Sequence, residues 1–589
     1  MRLTITISIL WVFFFELIAQ SPDVSKPIGD AVYIRHPEDP IAINPILVVD
    51  DIDKIVTNQV FQYLTIVNPD RMQRVPWLLK RMPIASRDSS YYLCELREEA
   101  SWDNGLPITA EDVLFTLKAI YNPFIPCTYL KEFFSGIEDV VIDKKDKKKF
   151  KIYVAQDIGE NIIYPIPVMP RHFYDRQNDM AKFTLQQLKK EKDKLKNDPF
   201  LKNFATFFTD STNIHNPSLI YGSGAYRVVK WIPNDEVVLE RKVNWWGDKL
   251  KKYSELIFGA YPKRLIYKTV KEMSVTITML KLGDLDLIYN IPAKEFTDIE
   301  KLDSNYYHYR TRKANTLAYS YLGFNIKPEN RIPYFDDINV RRAVSYALPV
   351  DSMMKFILKG YGVRISAPGS PTKEISYNPN LPLYAYDIKK AKQLLKDAGW
   401  QDTDNDAILD KVVNGKKIDF VISLLINNLS PDNRKIAYLV TRSLGYVGIG
   451  VTVEEKTLSE YIKALQNHEF DMYLAENIED ADFQDPELFW HTKNWENKGA
   501  NYTGFGNGST DAFIETIKNG KNLNKAKFLY HALMSIIHEQ QPCIPLWSPQ
   551  NIIVASDRFQ NFKAYTEFGG FPGINPANLW TPVEKQKYK

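Results

Sequence analysis

Three aspartates, Asp402, Asp404 and Asp406, stand at alternate positions, as the first ligands of a calcium-binding loop do. Such a loop also needs a glycine at its sixth position and a glutamate at its twelfth, which binds the ion through both oxygens. Those positions hold Ala407 and Val413 in this chain. The pattern therefore predicts a polar surface turn, and no metal site is expected.

Residues for catalysis are scattered rather than grouped. His531 and His538 are seven residues apart, two turns along a helix, which permits shared ligation but more often reflects coincidence. The sequence contains no His-Glu-x-x-His pair, no Gly-x-Ser-x-Gly elbow and no Walker loop. Gly222 and Gly224 lack the third glycine and the following helix of a dinucleotide fingerprint. We therefore predict no catalytic residue and no cofactor, and do not expect an enzyme.

The segment from Glu476 to Pro486 is rich in carboxylates, among them Glu479, Asp482 and Asp485. A carboxylate that is shielded from water attracts a cationic group strongly. Leaving such a carboxylate unpaired would be costly. The alternative is a solvated acidic loop, and composition alone does not decide between the two.

Length and composition limit the class of protein. At 589 residues the chain is too long for one hydrophobic core and should divide into about two to four domains. An apolar content of 44% and a charged content of 25% are ordinary for a soluble globular protein. The net charge of +3 gives no reason to expect nucleic acid. Aromatic residues reach 13%, which suits a large ligand cleft, although large cores use them too.

The N-terminus has the pattern of an export signal. Arg2 precedes an apolar run from Leu3 to Phe15, and small residues follow near Ala19. This run is too short to span a membrane and predicts a secretory signal peptide over residues 1–20, with a buried N-terminal helix as the alternative.

The cysteines do not form a recognisable framework. Cys94, Cys127 and Cys543 are an odd number without metal-binding spacing, which rules out a complete set of disulfides. A bond between Cys94 and Cys127 stays open, because it depends on whether they meet in space.

Residues 96–118 predict a strand, a turn and a helix that would serve as a positioning element. Gly105 allows the turn, Thr109 is suited to cap the helix, and Asp112 places negative charge in its first turn. Further predicted elements are helices over 51–64, 183–201, 276–287, 336–348 and 387–398 and a strand over 231–241.

Five segments of the sequence, in chain order, resemble the corresponding segments of one protein family. They are LREEASWDNGLPITAEDVLFTL at 96–117, GSGAYRV at 222–228, NWWGDK at 244–249, FDDINVRRAVSYAL at 335–348 and DIKKAKQLLKDAGW at 387–400. They resemble the large solute-binding proteins that serve oligopeptide and dipeptide ABC importers. One departure is Ile388, where the family pattern has proline.

The resemblance implies an α/β fold of the large periplasmic-binding-protein type, with two lobes, a hinge and an additional domain. The expected domain I combines residues 21–64, 218–315 and 546–589, domain II spans 65–217, and domain III spans 316–545. Hinge strands are expected near 315–325 and 540–550. The two lobes should close around a ligand.

For function, the resemblance implies a periplasmic, monomeric binding protein that captures peptides and delivers them to ABC permease subunits. By the family pattern, Asp482 would pair with the peptide α-ammonium group and Tyr129 would contact peptide backbone. Glu479 stands where the family usually has tryptophan, so the shape of the first side-chain pocket stays open. No cysteine lies near residue 20, which favours a free protein over a lipid-anchored one. Alternatives are a nickel chelate, haem or oligosaccharide as cargo, or a secreted hydrolase.

Overall fold

A long antiparallel ribbon runs through the molecule and joins its two halves. The computed structural model describes residues 26–48, 51–156, 159–413, 415–479, 485–518, 523–566 and 573–588. The strand Cys543–Ser556 forms one side of the ribbon. Tyr309–Asn315 and Ala318–Phe324 follow one another along its other side. Residues 26–315 and 550–588 are called the first lobe, and residues 316–549 the second lobe.

Each lobe builds a sheet outward from its half of the ribbon. In the first lobe the strands Leu287–Ile288, Ala31–His36 and Arg264–Thr269 are parallel, and the antiparallel strands Glu236–Arg241 and Tyr226–Ile232 continue the sheet. In the second lobe the ribbon is followed by Met472–Ile478, Val421–Asn427 and Gly450–Lys456, with Gly362–Arg364 on its other side.

Helices cover both sheets. The longer helices among the described residues are Asp51–Val60, Ala110–Tyr121, Pro199–Thr209, Met273–Leu282, Ala293–Glu300, Ile338–Ala347, Val350–Ile357, Ile388–Asp397, Pro431–Gly445, Leu458–Gln466, Gly508–Lys518 and Leu523–Gln540. A smaller sheet of Ile84–Ala85, Tyr91–Glu95, Lys149–Val154 and Ile137–Ile142 lies in the segment predicted as domain II. One hydrophobic core runs from this segment into the first-lobe sheet, and a separate core fills the second lobe. The division into three domains stays a prediction.

The helices with strong local caps are where the sequence predicts them. Asp112 accepts a hydrogen bond from the Thr109 backbone N–H at 2.9 Å and starts Ala110–Tyr121. The Asp337 side chain caps Ile338–Ala347, and Asp387 caps Ile388–Asp397. These caps act over a few residues, so the local sequence is sufficient to locate them.

Four predicted elements are wrong in part. The helices over 51–64 and 276–287 end earlier than predicted, at Val60 and Leu282. The single strand predicted over 231–241 is instead the end of Tyr226–Ile232, a turn at Asn234 with a positive φ of 59°, and Glu236–Arg241, so the range contains most of a hairpin. The single helix over 183–201 is broken into Leu185–Lys190 and Lys192–Leu195, and Asp198 then caps a new helix, Pro199–Thr209. A capping aspartate followed by proline marks a helix start, which the prediction overlooked.

A buried arginine joins three segments of the first lobe that are distant in sequence. Arg558 Nη2 lies 2.8 Å from Asp286 Oδ2 and donates to the Ala31 carbonyl oxygen at 2.6 Å. Arg558 Nη1 also pairs with Asp30. All three charged side chains are almost completely buried, so the stability of the lobe depends on keeping them paired.

In the second lobe, Arg341 joins two backbone segments. Its guanidinium donates to the carbonyl oxygens of Phe335 at 2.6 Å, Asp336 at 2.8 Å and Gln540 at 2.8 Å. Gln540 ends the helix Leu523–Gln540, whose last carbonyls need such donors. Burial lowers the pKa of Arg341 to about 10, which still leaves it charged at neutral pH. The arginine-containing block at 335–348 is therefore scaffold.

The three aspartates with calcium-loop spacing form a turn before the hairpin of Asp410–Val413 and Lys416–Asp419. Oxygens of Asp402, Asp404 and Asp410, rather than Asp406, lie within 4.8 Å of one another. Lys417 pairs with Asp404 and lies 3.4 Å from Asp410. Hydrogen bonds from Thr403 and Lys417 lower the pKa of Asp410. The turn therefore supplies its own positive charge.

We expect Asp286→Ala to lower the free energy of unfolding by about 3–5 kcal/mol, because it leaves the buried Arg558 charge only partly paired. Chemical denaturation followed by tryptophan fluorescence measures this loss. Glu455→Ala is the matched control, because its partner Arg434 is exposed and little should change. Equal loss in both variants would contradict the role of the buried pair.

We expect millimolar calcium to leave the melting temperature of the wild-type protein unchanged, because Lys417 already compensates the aspartates. Lys417→Ala should melt at a lower temperature and regain stability when calcium is added, since the unpaired carboxylates would then bind the ion. Differential scanning fluorimetry measures both effects. Calcium stabilisation of the wild type equal to that of Lys417→Ala would show that the turn is a metal site after all.

Candidate functional site

The parallel strands of the first lobe point their carboxyl ends at the place where the ribbon passes between the lobes. Leu287–Ile288 runs antiparallel to the ribbon, with Ile288 opposite Val554, and so leads towards residue 550. Ala31–His36 and Arg264–Thr269 run parallel to it. The segments that follow these three strands therefore lie along one edge of the sheet.

The second lobe presents the matching edge. Ile478 is opposite Ala318, so Met472–Ile478 ends beside the crossing of the ribbon, and Val421–Asn427 runs parallel to it. In open α/β sheets, ligands bind outside the carboxyl ends of the parallel strands. Both sheets direct these ends to the region between the lobes, called here the interlobe cleft, which is the candidate site.

The first-lobe edge of the cleft is held by polar side chains. Arg35 is buried and donates to the carbonyl oxygens of Val270 at 3.1 Å and Lys271 at 3.2 Å, which ties two neighbouring strand ends together. The Tyr289 hydroxyl, after the third strand, has no hydrogen-bond partner among the described residues. Burial raises the pKa of Tyr289, so the phenol stays neutral and can both donate and accept.

The second-lobe edge combines exposed and buried groups. Glu476 and Ile478 are on one face of their strand, and Ile478 is 69% exposed. Solvent reaches Glu476, yet the surrounding protein raises the pKa of its carboxyl, as expected for an acid in the wall of a cleft. On the other face, Asn477 Nδ2 donates to the Tyr319 hydroxyl at 2.9 Å.

Glu479, directly after this strand, points inward. It is 5% exposed, and its Oε2 accepts from the Ser370 backbone N–H at 2.7 Å. Its own N–H donates to the Leu317 carbonyl oxygen at 3.1 Å. Ser370 Oγ donates in turn to the Thr316 carbonyl oxygen at 2.6 Å. Sequence reasoning missed Ser370 and Thr316, because nothing in the local pattern shows that they lie together.

The two predicted histidines hold the chain that contains Ser370. His531 Nε2 lies 3.1 Å from the Glu374 carbonyl oxygen, and His538 Nδ1 lies 3.0 Å from that of Ser366. Both project from the helix Leu523–Gln540. Each therefore binds the backbone of residues 365–377, called here the 365–377 loop, and they do not converge on a shared ligand.

Of the two predicted ligand-binding residues, Asp482 lies outside the described residues, between Glu479 and Asp485. Tyr129 is on the short helix Thr128–Phe133, is 72% exposed, and has its ring centre 6.2 Å from that of Phe133. It is thus available to a ligand. Contact between a ligand and either residue stays a prediction.

Other candidates have structural roles. Cys94, Cys127 and Cys543 are buried free thiols, so the pairing of Cys94 with Cys127, left open above, is not present. Gly222 and Gly224 pack against backbone at the end of the helix Asp51–Val60, where a Cβ would collide with the carbonyl oxygens of Val60 and Gln59. In the described part of the chain, no helix is both long enough and apolar enough to cross a membrane.

Comparison with known proteins agrees with this geometry. Residues 73–500 match the model of bacterial extracellular solute-binding proteins, family 5. The oligopeptide-binding protein AppA of Bacillus subtilis (strain 168) is 24% identical over 536 residues, which are 89% of this chain and 87% of AppA.

Solved structures share the fold. The structure of Bacillus subtilis AppA with a nonapeptide has a TM-score of 0.60 and 22% identity, and the match covers 95% of this chain and 100% of AppA. HbpA2 from Haemophilus parasuis has a TM-score of 0.74 and 17% identity, with 94% and 100% covered. These likenesses confirm the predicted α/β periplasmic-binding-protein fold. Because the family model spans most of its length, the chain belongs to family 5 of the bacterial extracellular solute-binding proteins.

Proposed function

We propose that this protein captures peptides outside the cytoplasm and delivers them to the permease subunits of an ABC importer. The observation that carries the proposal is the convergence of strand ends from both lobes on one cleft, in a member of a solute-binding family. The relative AppA is named as oligopeptide-binding, and its solved structure contains a nonapeptide. The protein is proposed to act as a monomer in the periplasm after loss of a signal peptide, and to have no catalytic activity.

Capture works by closure of the lobes. A peptide that contacts both edges of the cleft stabilises the closed arrangement, so binding shifts the population towards it. The permease can then distinguish loaded from empty protein by shape. Extended peptides suit such a site, because their backbone offers the same donors and acceptors whatever their side chains are, and water can fill the remaining space.

Asp482 is proposed to receive the peptide α-ammonium group. Closure removes water from around the pair, which strengthens the attraction and fixes the direction of the peptide. Without a ligand, closure would bury the carboxylate unpaired at a large cost, so the empty protein should stay open. Tyr129, exposed on its helix, is proposed to contact the peptide backbone through its hydroxyl.

We expect native mass spectrometry of protein purified from its own host to show bound peptides of mixed mass. Acid extraction and sequencing of the released material identifies them. A single bound mass that corresponds to haem, a metal chelate or an oligosaccharide would replace the peptide proposal with that cargo. Turnover of peptide or ester substrates that one substitution abolishes would instead indicate a hydrolase.

We expect Asp482→Ala to weaken binding of peptides with a free amino terminus by about tenfold or more, because it removes a charge-assisted hydrogen bond. Isothermal titration calorimetry against the same peptides with and without N-acetylation measures the effect. The acetylated peptides should bind wild type and Asp482→Ala alike. Asp485→Ala is the matched control. Equal losses of affinity for free and acetylated peptides in Asp482→Ala would show that Asp482 does not bind the ammonium group.

A further inference from the structure

We propose that Glu479 is a positioning residue. Its buried carboxylate locks the second-lobe wall of the cleft, at the end of Met472–Ile478, to the crossing point of the ribbon, where residues 315–318 and 547–550 pass between the lobes. The wall and the crossing strands would then move as one rigid piece when the lobes close. This inference deepens the proposed function and rests on it for its effect on affinity. Its effect on the protein without ligand does not depend on what the cargo is.

The contacts of Glu479 form a closed ring. Its N–H donates to the Leu317 carbonyl oxygen at 3.1 Å, and its carboxylate accepts from the Ser370 N–H at 2.7 Å. Ser370 Oγ donates to the Thr316 carbonyl oxygen at 2.6 Å, and Thr316 directly precedes Leu317 in the chain, which closes the ring. Three segments that are distant in sequence are therefore joined at one place: the crossing point, the end of the strand Met472–Ile478, and the 365–377 loop.

The second crossing strand joins the same ring through Thr316. The Thr316 N–H and Oγ1 both donate to the Pro549 carbonyl oxygen, at 3.2 Å and 2.9 Å. Ser548 Oγ donates to the Thr316 carbonyl oxygen at 3.4 Å. Proline at 549 has no N–H for a ladder bond, so these side-chain contacts hold the ribbon where its ordinary pairing changes register. Both crossing strands are thus tied to Glu479.

The helix Leu523–Gln540 holds the Ser370 segment of the ring in place. His531 and His538 bind the Glu374 and Ser366 carbonyl oxygens at 3.1 Å and 3.0 Å, which fixes both sides of the Ser370 segment to the helix Leu523–Gln540. Bending of the ribbon is thereby displaced towards the first lobe. There, Gln550 Nε2 donates to Asn315 Oδ1 at 2.9 Å within the last regular pair of that half.

An acceptor oxygen on the side chain of residue 479 is what the ring needs. The Ser370 N–H is buried and would be unsatisfied without an acceptor, and a buried donor left without a partner is costly. Glutamine keeps a side-chain oxygen at the same reach and can still accept, whereas alanine cannot. Glutamine therefore tests the charge at constant volume, whereas alanine removes the acceptor together with the side-chain volume.

Distances between the lobes in the protein without ligand test this directly. Spin labels at Val243→Cys in the first lobe and Tyr438→Cys in the second are both on exposed residues, and the native cysteines are buried. Pulsed electron paramagnetic resonance then gives the distribution of interlobe distances. We expect Glu479→Ala to broaden this distribution, Glu479→Gln to retain most of its sharpness, and Ser370→Ala to broaden it partly. Effects of Glu479→Ala and Ser370→Ala together should be less than additive.

Asp471→Ala is the matched control. Asp471 is another buried carboxylate of the same lobe and accepts from the Ser423 N–H at 2.7 Å and from Arg331, away from the crossing point. It should lower the melting temperature as Glu479→Ala does, without broadening the interlobe distances. A loss of stability alone would therefore not reproduce the expected result.

Affinity supplies the second readout. We expect Glu479→Ala to weaken peptide binding by about tenfold, with Glu479→Gln close to wild type. Unchanged distance distributions in Glu479→Ala and Ser370→Ala would overturn the inference, as would equal broadening in Asp471→Ala. Failure of any peptide to bind would reject the proposed function, and the distance measurements would still decide the role of Glu479.

Discussion

The pairing of Tyr309–Asn315 and Ala318–Phe324 with Cys543–Ser556 is the constraint on which the molecule depends. Cys543–Ser556 pairs with Tyr309–Asn315 in the first lobe and with Ala318–Phe324 in the second, so one continuous strand contributes backbone hydrogen bonds to both sheets. The ribbon fixes which edges of the two sheets face one another. The cleft lies where it does because the neighbouring strands take their direction from the ribbon.

Two buried arginines fix the strand Cys543–Ser556 near its ends, one in each lobe. Arg341 donates to the Gln540 carbonyl oxygen just before the strand, and Arg558, just after it, pairs with Asp286 and Asp30. Breaking either set would leave a buried charge or buried carbonyls unsatisfied, which is expensive in both cases. The strand is thus anchored in both lobes, and residues 547–550 cross between them.

Local sequence was sufficient where the structure depends on local contacts. The caps at Thr109, Asp337 and Asp387 act within one helical turn, and the helices that they start were predicted correctly. The ring around Glu479 was not predictable in this way, because its partner Ser370 is 109 residues distant. The histidine pair shows the same limit, since a spacing typical of ligands serves two separate backbone contacts.

The resemblance to a family provided what local patterns could not, namely the order of the chain through two lobes. It located the ribbon near 315–325 and 540–550 and drew attention to Glu479 as a departure from the family pattern. It could not indicate where that side chain points. Glu479 faces inward to Ser370, and the shape of a first side-chain pocket stays a prediction.

The central claim is that the ribbon lets the two lobes close around a ligand in the cleft. Small-angle X-ray scattering of protein first freed of co-purified peptide, before and after addition of a saturating peptide mixture, tests it most directly. We expect a smaller radius of gyration and a shorter maximum dimension with peptide, and a return to the original values after dialysis under mild denaturation. If calorimetry confirms peptide binding in the same sample but the scattering curves superimpose, that result would contradict closure as the means of capture.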